Sequence, residues 1–183
     1  MRKVYISARA RLGFALLTSS LGSVTLYFAG VWGPYENEFA YMIWNLVLAW
    51  AALGVSLYLE RTVNRVSWSS WSALITTLIW ILFLPNTFYL LTDFIHVVEL
   101  PPSHLLTGVF MLSSFIINGL LLGVISVYLI HRELLKRLAV RTTWLLVSTI
   151  MLLCSFAMYI GRELRWNSWD IVANPSSLLF DVT

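Results

Sequence analysis

Leu105 to Ile130 reads LLTGVFMLSSFIINGLLLGVISVYLI, without a Lys, Arg, Asp, Glu or His in it. A hydrocarbon core of roughly 30 Å is crossed by about 20 helical residues. This stretch therefore has the length and the composition of a membrane span. Four other runs share its character, at about 12–32, 39–59, 70–91 and 142–161, and none holds a charged residue or a histidine. The expected fold class is all-α: a polytopic transmembrane helix bundle with five visible spans, forming one transmembrane domain over residues 1–183.

The composition agrees. Apolar residues are 59% of the chain and charged residues 11%, against about a quarter charged in a soluble domain. There is too little polar residue to coat a water-soluble core. The net charge of +3 is not a nucleic-acid footprint, because the basic residues sit in short loops between spans and no basic run is interleaved with aromatics. Cys154 is the one cysteine. It cannot close an intrachain disulfide and reads as a small packing residue. The first run follows Arg2, Lys3, Arg9 and Arg11, as the core of a secretion signal would. It is longer than the usual signal core of about 7–15 residues, and no small-x-small cleavage site follows it, so it is read as a retained helix.

Charge placement predicts orientation. Arg2, Lys3, Arg9 and Arg11 precede the first span; Arg61 and Arg65 lie between the second and third; Arg132, Lys136, Arg137 and Arg141 lie between the fourth and fifth. Ten of the 12 basic residues thus share a side, and the positive-inside rule makes that side, with the N-terminus, cytoplasmic. Glu36, Glu38, Asp93, Glu99, Glu163, Asp170 and Asp181 fall on the other side. Trp32, Tyr35 and Tyr41 mark the outer boundary and Trp68, Trp71 and Trp144 the inner one, as amphipathic rings favour the headgroup zone. The loop from His131 to Arg141 would rest on anionic lipid, at roughly 1 kcal/mol per basic residue. His131 and His104 read as solvated loop residues.

Two polar segments should meet at the outer side. The first is Leu84-Pro-Asn-Thr-Phe-Tyr-Leu-Leu-Thr-Asp-Phe-Ile-His96; the second is Gly161-Arg-Glu-Leu-Arg-Trp-Asn-Ser-Trp-Asp170. About 20 residues separate Ser70 from Tyr89, and the same number separate Thr142 from Gly161, so Asp93 and Arg162 emerge at one depth. Asn86, Tyr89, Asp93, His96 and Glu99 recur at steps of three or four, which makes them one polar stripe on a helix. Pro85 can kink that helix, and carbonyls freed there need new partners. Pro101 and Pro102 end it. Arg162 and Arg165 share a face if the last helix continues.

On these residues the chain resembles a known family. Leu84-Pro85-Asn86 with Tyr89, Thr92-Asp93 and His96, together with Gly161-Arg162 and Arg165-Trp166-Asn167-Ser168-Trp169-Asp170, is similar to the bacterial membrane proteins grouped as domain of unknown function 1361. The resemblance covers nearly the whole chain in span number and motif order. It implies a multi-pass protein of the bacterial plasma (inner) membrane and no particular activity. It also implies a further apolar segment after this motif, of which Ser176 to Thr183 would be the start.

The polar residues admit several chemistries. Asp93 would pair with Arg162 or Arg165 and lock the third helix to the fifth, with Asn86, Tyr89 and Asn167 completing the network. The same arginines, with Asp170 nearby, would hold the phosphate of an anionic lipid headgroup or envelope precursor. Asp93 and His96 would then be the candidate catalytic pair of a membrane-embedded transferase or hydrolase on a lipid-linked substrate. A small transporter is a further alternative, although no internal repeat is visible. Asp93 and His96 at i and i+3 have a ligand spacing, but no HExxH, His pair or Cys cluster supports a metal. No cofactor is expected. Asn118 and Asn45 are read as midspan amides that bond across helices, and Gly119 and Gly123 as a G-x-x-x-G for close packing, within the chain or in a homo-oligomer. The orientation has a direct check. Reporter fusions after residues 93 and 166 should give the same extracytoplasmic signal, and opposite signals would dismantle the shared outer site.

Overall fold

The computed structural model describes residues 7–30, 39–100 and 102–163, without the side chains of Glu99 and Glu163. Within them it is all-helical. The elements are α1 Ala8–Ala29, α2 Ala40–Val63, α3 Trp71–Thr92, a 3-10 segment Asp93–Glu99, α4 Leu105–Leu135 and α5 Val140–Glu163. Five helices are long and apolar enough to cross a membrane, the third span running on through the 3-10 segment to Val98.

Local chemistry sets the starts. The hydroxyl of Ser7 accepts from the Ala10 N–H and caps α1. Ser70 does the same for Ala73 at the start of α3. Both satisfy amides that the first turn leaves without a carbonyl. α3 runs through Pro85. Side chains serve the carbonyls beside it: Asn86 Nδ2 donates to Phe83 O at 3.1 Å and Thr87 Oγ1 to Leu84 O at 2.8 Å.

The helices overrun the apolar runs at the basic end. α1 begins at Ala8, α2 continues to Val63 and α4 to Leu135. At 31 residues, α4 is about 46 Å long and extends past a 30 Å hydrocarbon layer. His131 therefore lies on α4 and not in a loop. Its ring packs against Trp144 with centroids 4.9 Å apart, which corrects its reading as a solvated residue. The connection from α4 to α5 shrinks to residues 136–139.

α4 is the axis of the bundle. It touches all four other helices, with α2 and α3 packed beside it and α1 and α5 on the flanks. It is the most buried span and α5 the least. One core cluster joins Leu46, Ala49 and Leu53 of α2 to Met111, Phe115 and Leu122 of α4. A second joins Leu59, Trp80, Leu84, Ile130 and Cys154, so the cysteine is a packing residue.

Lipid tails are as apolar as leucine, so hydrophobicity does not press these helices together. Close packing and buried polar contacts must do so. Both are present. Asn118 of α4 donates to Ser23 Oγ of α1 at 2.9 Å, and Trp50 of α2 donates to Ser20 of α1 at 3.1 Å. Trp80 of α3 donates to Ser126 of α4 at 2.8 Å, and Ser126 reaches the Ala52 carbonyl of α2. Asn118 thus bonds across helices as its midspan position predicts. Asn45 does not sit at midspan; it lies in the second turn of α2, at the end that carries Asp93.

Gly119 and Gly123 face α3 inside the chain. A Cβ on Gly119 would stand 2.5 Å from Leu90 Cδ1 and 2.8 Å from the Thr87 carbonyl; one on Gly123 would meet the Thr87 side chain. Nothing lies within 4 Å of a Cβ on Gly22. Gly119→Ala should therefore cost about 1–3 kcal/mol as overpacking. Gly22→Ala should be neutral or gain up to about 1 kcal/mol from helix propensity. Thermal unfolding of the two variants in the same detergent checks the contrast.

Candidate functional site

Three elements converge at one end of the bundle. Asp93 opens the 3-10 segment directly after α3 and is 1% exposed. Arg162 comes from the last turn of α5. Its Nη1 donates to Thr92 Oγ1 at 2.5 Å and to Asp93 Oδ1 at 3.4 Å. Thr92 itself donates to the Tyr89 carbonyl at 2.6 Å, so its hydroxyl is used in both directions. The two polar segments inferred to share a depth are in contact.

Around this pair stand groups from α2 and α3. Asn45 adds a polar neighbour to the Asp93 carboxylate, and His96 acts on it electrostatically. Tyr89 is half-buried and within electrostatic reach of both Arg162 and Asp93. The His96 ring meets Tyr41 edge-on, with centroids 6.1 Å apart. A 3-10 helix has three residues per turn, so side chains at i and i+3 eclipse. Asp93 and His96 therefore share a face more closely than an α-helical stripe would place them.

Not every expected member joins. Asn86 turns back to the Phe83 carbonyl of its own helix and serves the proline turn. Arg165, Asn167 and Asp170 lie outside the described residues. Among the described residues no three His, Cys, Asp or Glu side chains gather as a metal ion would require. Thr92, Asn45 and Tyr41 belong to the cluster although sequence reasoning did not place them in it. Depth counting from the start of α2 would have found Asn45, because it enters from the same side as Asp93.

The geometry of the ion pair is loose. Charge-assisted N–H···O bonds are usually about 2.7–2.9 Å, and an arginine fork commonly grips both carboxylate oxygens. Here one nitrogen makes both contacts, at 3.4 Å to the carboxylate. Asp93 Oδ2 is buried without a hydrogen-bond partner. The Arg162 side chain is 23% exposed. Among the described residues the site retains an unused acceptor, and Arg162 has donors that meet none of their groups.

The opposite end shows a closed arrangement of the same chemistry. Glu60 is gripped by both Arg9 nitrogens, at 2.9 and 3.1 Å, and by Arg132 of α4. Glu133 has no exposed side-chain surface and is held by Lys136 at 2.5 Å and Arg137 at 3.1 Å. Arg137 also donates to the Val63 carbonyl at the end of α2 and lies over the Trp68 ring. These buried carboxylates were invisible to a reading that took charges as the ends of spans.

Comparison with known proteins adds one finding. Residues 44–183 match the model of a family described as Protein of unknown function (DUF1361). The match includes both Asp93 and Arg162 and leaves out α1. No curated protein and no solved structure matches the chain.

The closed end should behave as structure. Removing Glu133 strands two cations and a buried helix end, which costs several kcal/mol in a fully buried pair. Its partners are partly exposed, so Glu133→Ala should lower stability by about 1–3 kcal/mol. Lys136→Ala should cost less than about 1 kcal/mol. Melting temperatures in detergent give the comparison.

Proposed function

We propose, for a chain that belongs to the DUF1361 family, a multi-pass membrane protein that binds an anionic headgroup at its Asp93–Arg162 end. One observation carries this reading. Among the described residues Arg162 makes its contacts through a single nitrogen, while Asp93 keeps a buried oxygen without a hydrogen-bond partner. A guanidinium with free donors suits a phosphate. An acceptor beside it suits a hydroxyl or ammonium on the same headgroup. The ligand class is therefore a phosphate carrying a hydrogen-bond donor, as on a phospholipid or a lipid-linked envelope precursor.

Charge favours an extracytoplasmic position for this site. Among the described residues the other end carries Arg9, Arg11, Arg61, Arg65, Arg132, Lys136, Arg137 and Arg141 against two carboxylates. Basic residues near span ends orient the chain and acids contribute little. The bacterial inner membrane is the setting this reading takes.

The Asp93–His96 face supports a second reading, a transferase or hydrolase in which the carboxylate and imidazole move a proton at the bound headgroup. The two readings part on one variant. Asp93→Asn leaves a neutral acceptor that cannot serve as a base. Catalysis predicts lost turnover with headgroup binding and membrane abundance retained.

Binding is tested with purified protein titrated with phosphatidylglycerol, reading the number of lipids retained by native mass spectrometry. Arg162→Gln should weaken retention at this site about tenfold, with Arg162→Lys between it and the wild type. Arg162→Gln and Asp93→Asn should be non-additive in stability by about 0.5–3 kcal/mol, as neighbours in one network are. Reduced abundance in every variant with lipid retention unchanged would leave only a helix lock and reject the binding site.

A further inference from the structure

Two clefts lie at the basic end of the bundle, beside the Glu60 network. A cleft of about 610 Å³ is lined by Ser7, Arg9, Leu57, Arg61, Asn64 and Arg65. A second, of about 380 Å³, is lined by Tyr58, Arg61, Thr62, Arg65, Val66 and Ser72. Arg61 and Arg65 line both. The two clefts are therefore the two sides of one groove around the end of α2, with α1 on one side and α3 on the other. Their volumes fall in the usual range of small-ligand sites, roughly 300–1,000 Å³.

The groove is electropositive for reasons that add. Arg9 is committed to Glu60, which also holds Arg132, so the carboxylate in the wall is already neutralised. Arg61 and Arg65 are exposed and pair with no carboxylate among the described residues. Ser7 is the cap of α1, and Ser72 lies in the first turn of α3. Two helix N-termini thus flank the arginines, and each carries partial positive charge. Asn64 adds a side chain that donates to the Glu60 carbonyl at 2.7 Å, which fixes the turn bearing Arg65.

We propose that this groove seats the phosphate of an anionic phospholipid between Arg61 and Arg65. The apolar wall decides between a lipid and a free phosphate. Leu57 and Ala10 line one side and Tyr58 and Val66 the other, and Tyr58 and Val66 are exposed on the outer surface of the bundle. A headgroup in the groove would have its acyl chains along that surface. Free phosphate would gain nothing from it. The site takes the leaflet opposite to the one served by Arg162 and shares no residue with it.

The test uses the whole purified chain. Arg61 and Arg65 pair with no carboxylate among the described residues, so R61Q/R65Q should leave the melting temperature unchanged. In native mass spectrometry the wild type should retain phosphatidylglycerol over phosphatidylcholine. The double variant should lose one bound phosphatidylglycerol with at least about a tenfold drop in retention, from roughly 1 kcal/mol per basic residue. R11Q/R141Q is the control, because both residues are exposed at the same end and neither lines the groove. An equal loss in R11Q/R141Q would mean diffuse surface charge and overturn the site. Displacement of the lipid by excess inorganic phosphate would overturn the lipid as its ligand. Loss confined to R61Q/R65Q, with the Arg162→Gln lipid count unaffected by it, upholds the groove independently of the Asp93 end.

Discussion

No water enters the hydrocarbon core, so every backbone amide there must bond within its own helix and every charge must lie at an end or be paired. The architecture follows from that constraint. It removes hydrophobicity as the force between helices and hands the task to close contact and buried polar groups. α4 meets the requirement by carrying small residues where other helices approach: Gly119 and Gly123 against α3, Ser126 against α2 and α3. Asn118 does the same toward α1 with an amide. A helix that touches all four others needs a different device on each face, and α4 has one for each of these three.

The same constraint explains what could be read from sequence. The existence and number of spans were legible because a charge-free run long enough to cross is rare by chance. The depth match of Asp93 and Arg162 was legible because rise per residue is fixed. The helix ends were not. Apolar runs stop at the first charge, but Glu60 and Glu133 are charges that the helices carry inward, since Arg9, Arg132, Lys136 and Arg137 meet them from neighbouring turns and helices. That compensation is a tertiary fact. The partner of Asn86 was not legible either. Its stripe position is right, yet its amide donates to the Phe83 carbonyl of its own helix, three residues back.

The two ends make different uses of one chemistry. Arg9 grips Glu60 with both nitrogens, and the carboxylate is further held by Arg132. Arg162 touches Asp93 with one nitrogen at 3.4 Å, and the far oxygen is unpartnered. Burying an ion pair is close to neutral unless its geometry is good and its remaining lone pairs are filled. By that standard the Glu60 network is a sound structural joint and the Asp93 pair is an incomplete one. Incompleteness in a buried polar group is costly. The unpartnered oxygen beside a partly exposed arginine is the feature on which the proposed binding reading rests.

The buried acids also bear on orientation. Eight described cations face two carboxylates at the basic end. Had those carboxylates counted against the cations one for one, the orienting signal would weaken. They do not, because acids contribute little to the positive-inside bias. Glu60 and Glu133 can therefore draw arginines from α1, α4 and the α4–α5 connection onto the bundle without loosening its hold on the membrane. Arg61 and Arg65 pair with neither carboxylate and line the clefts at the end of α2.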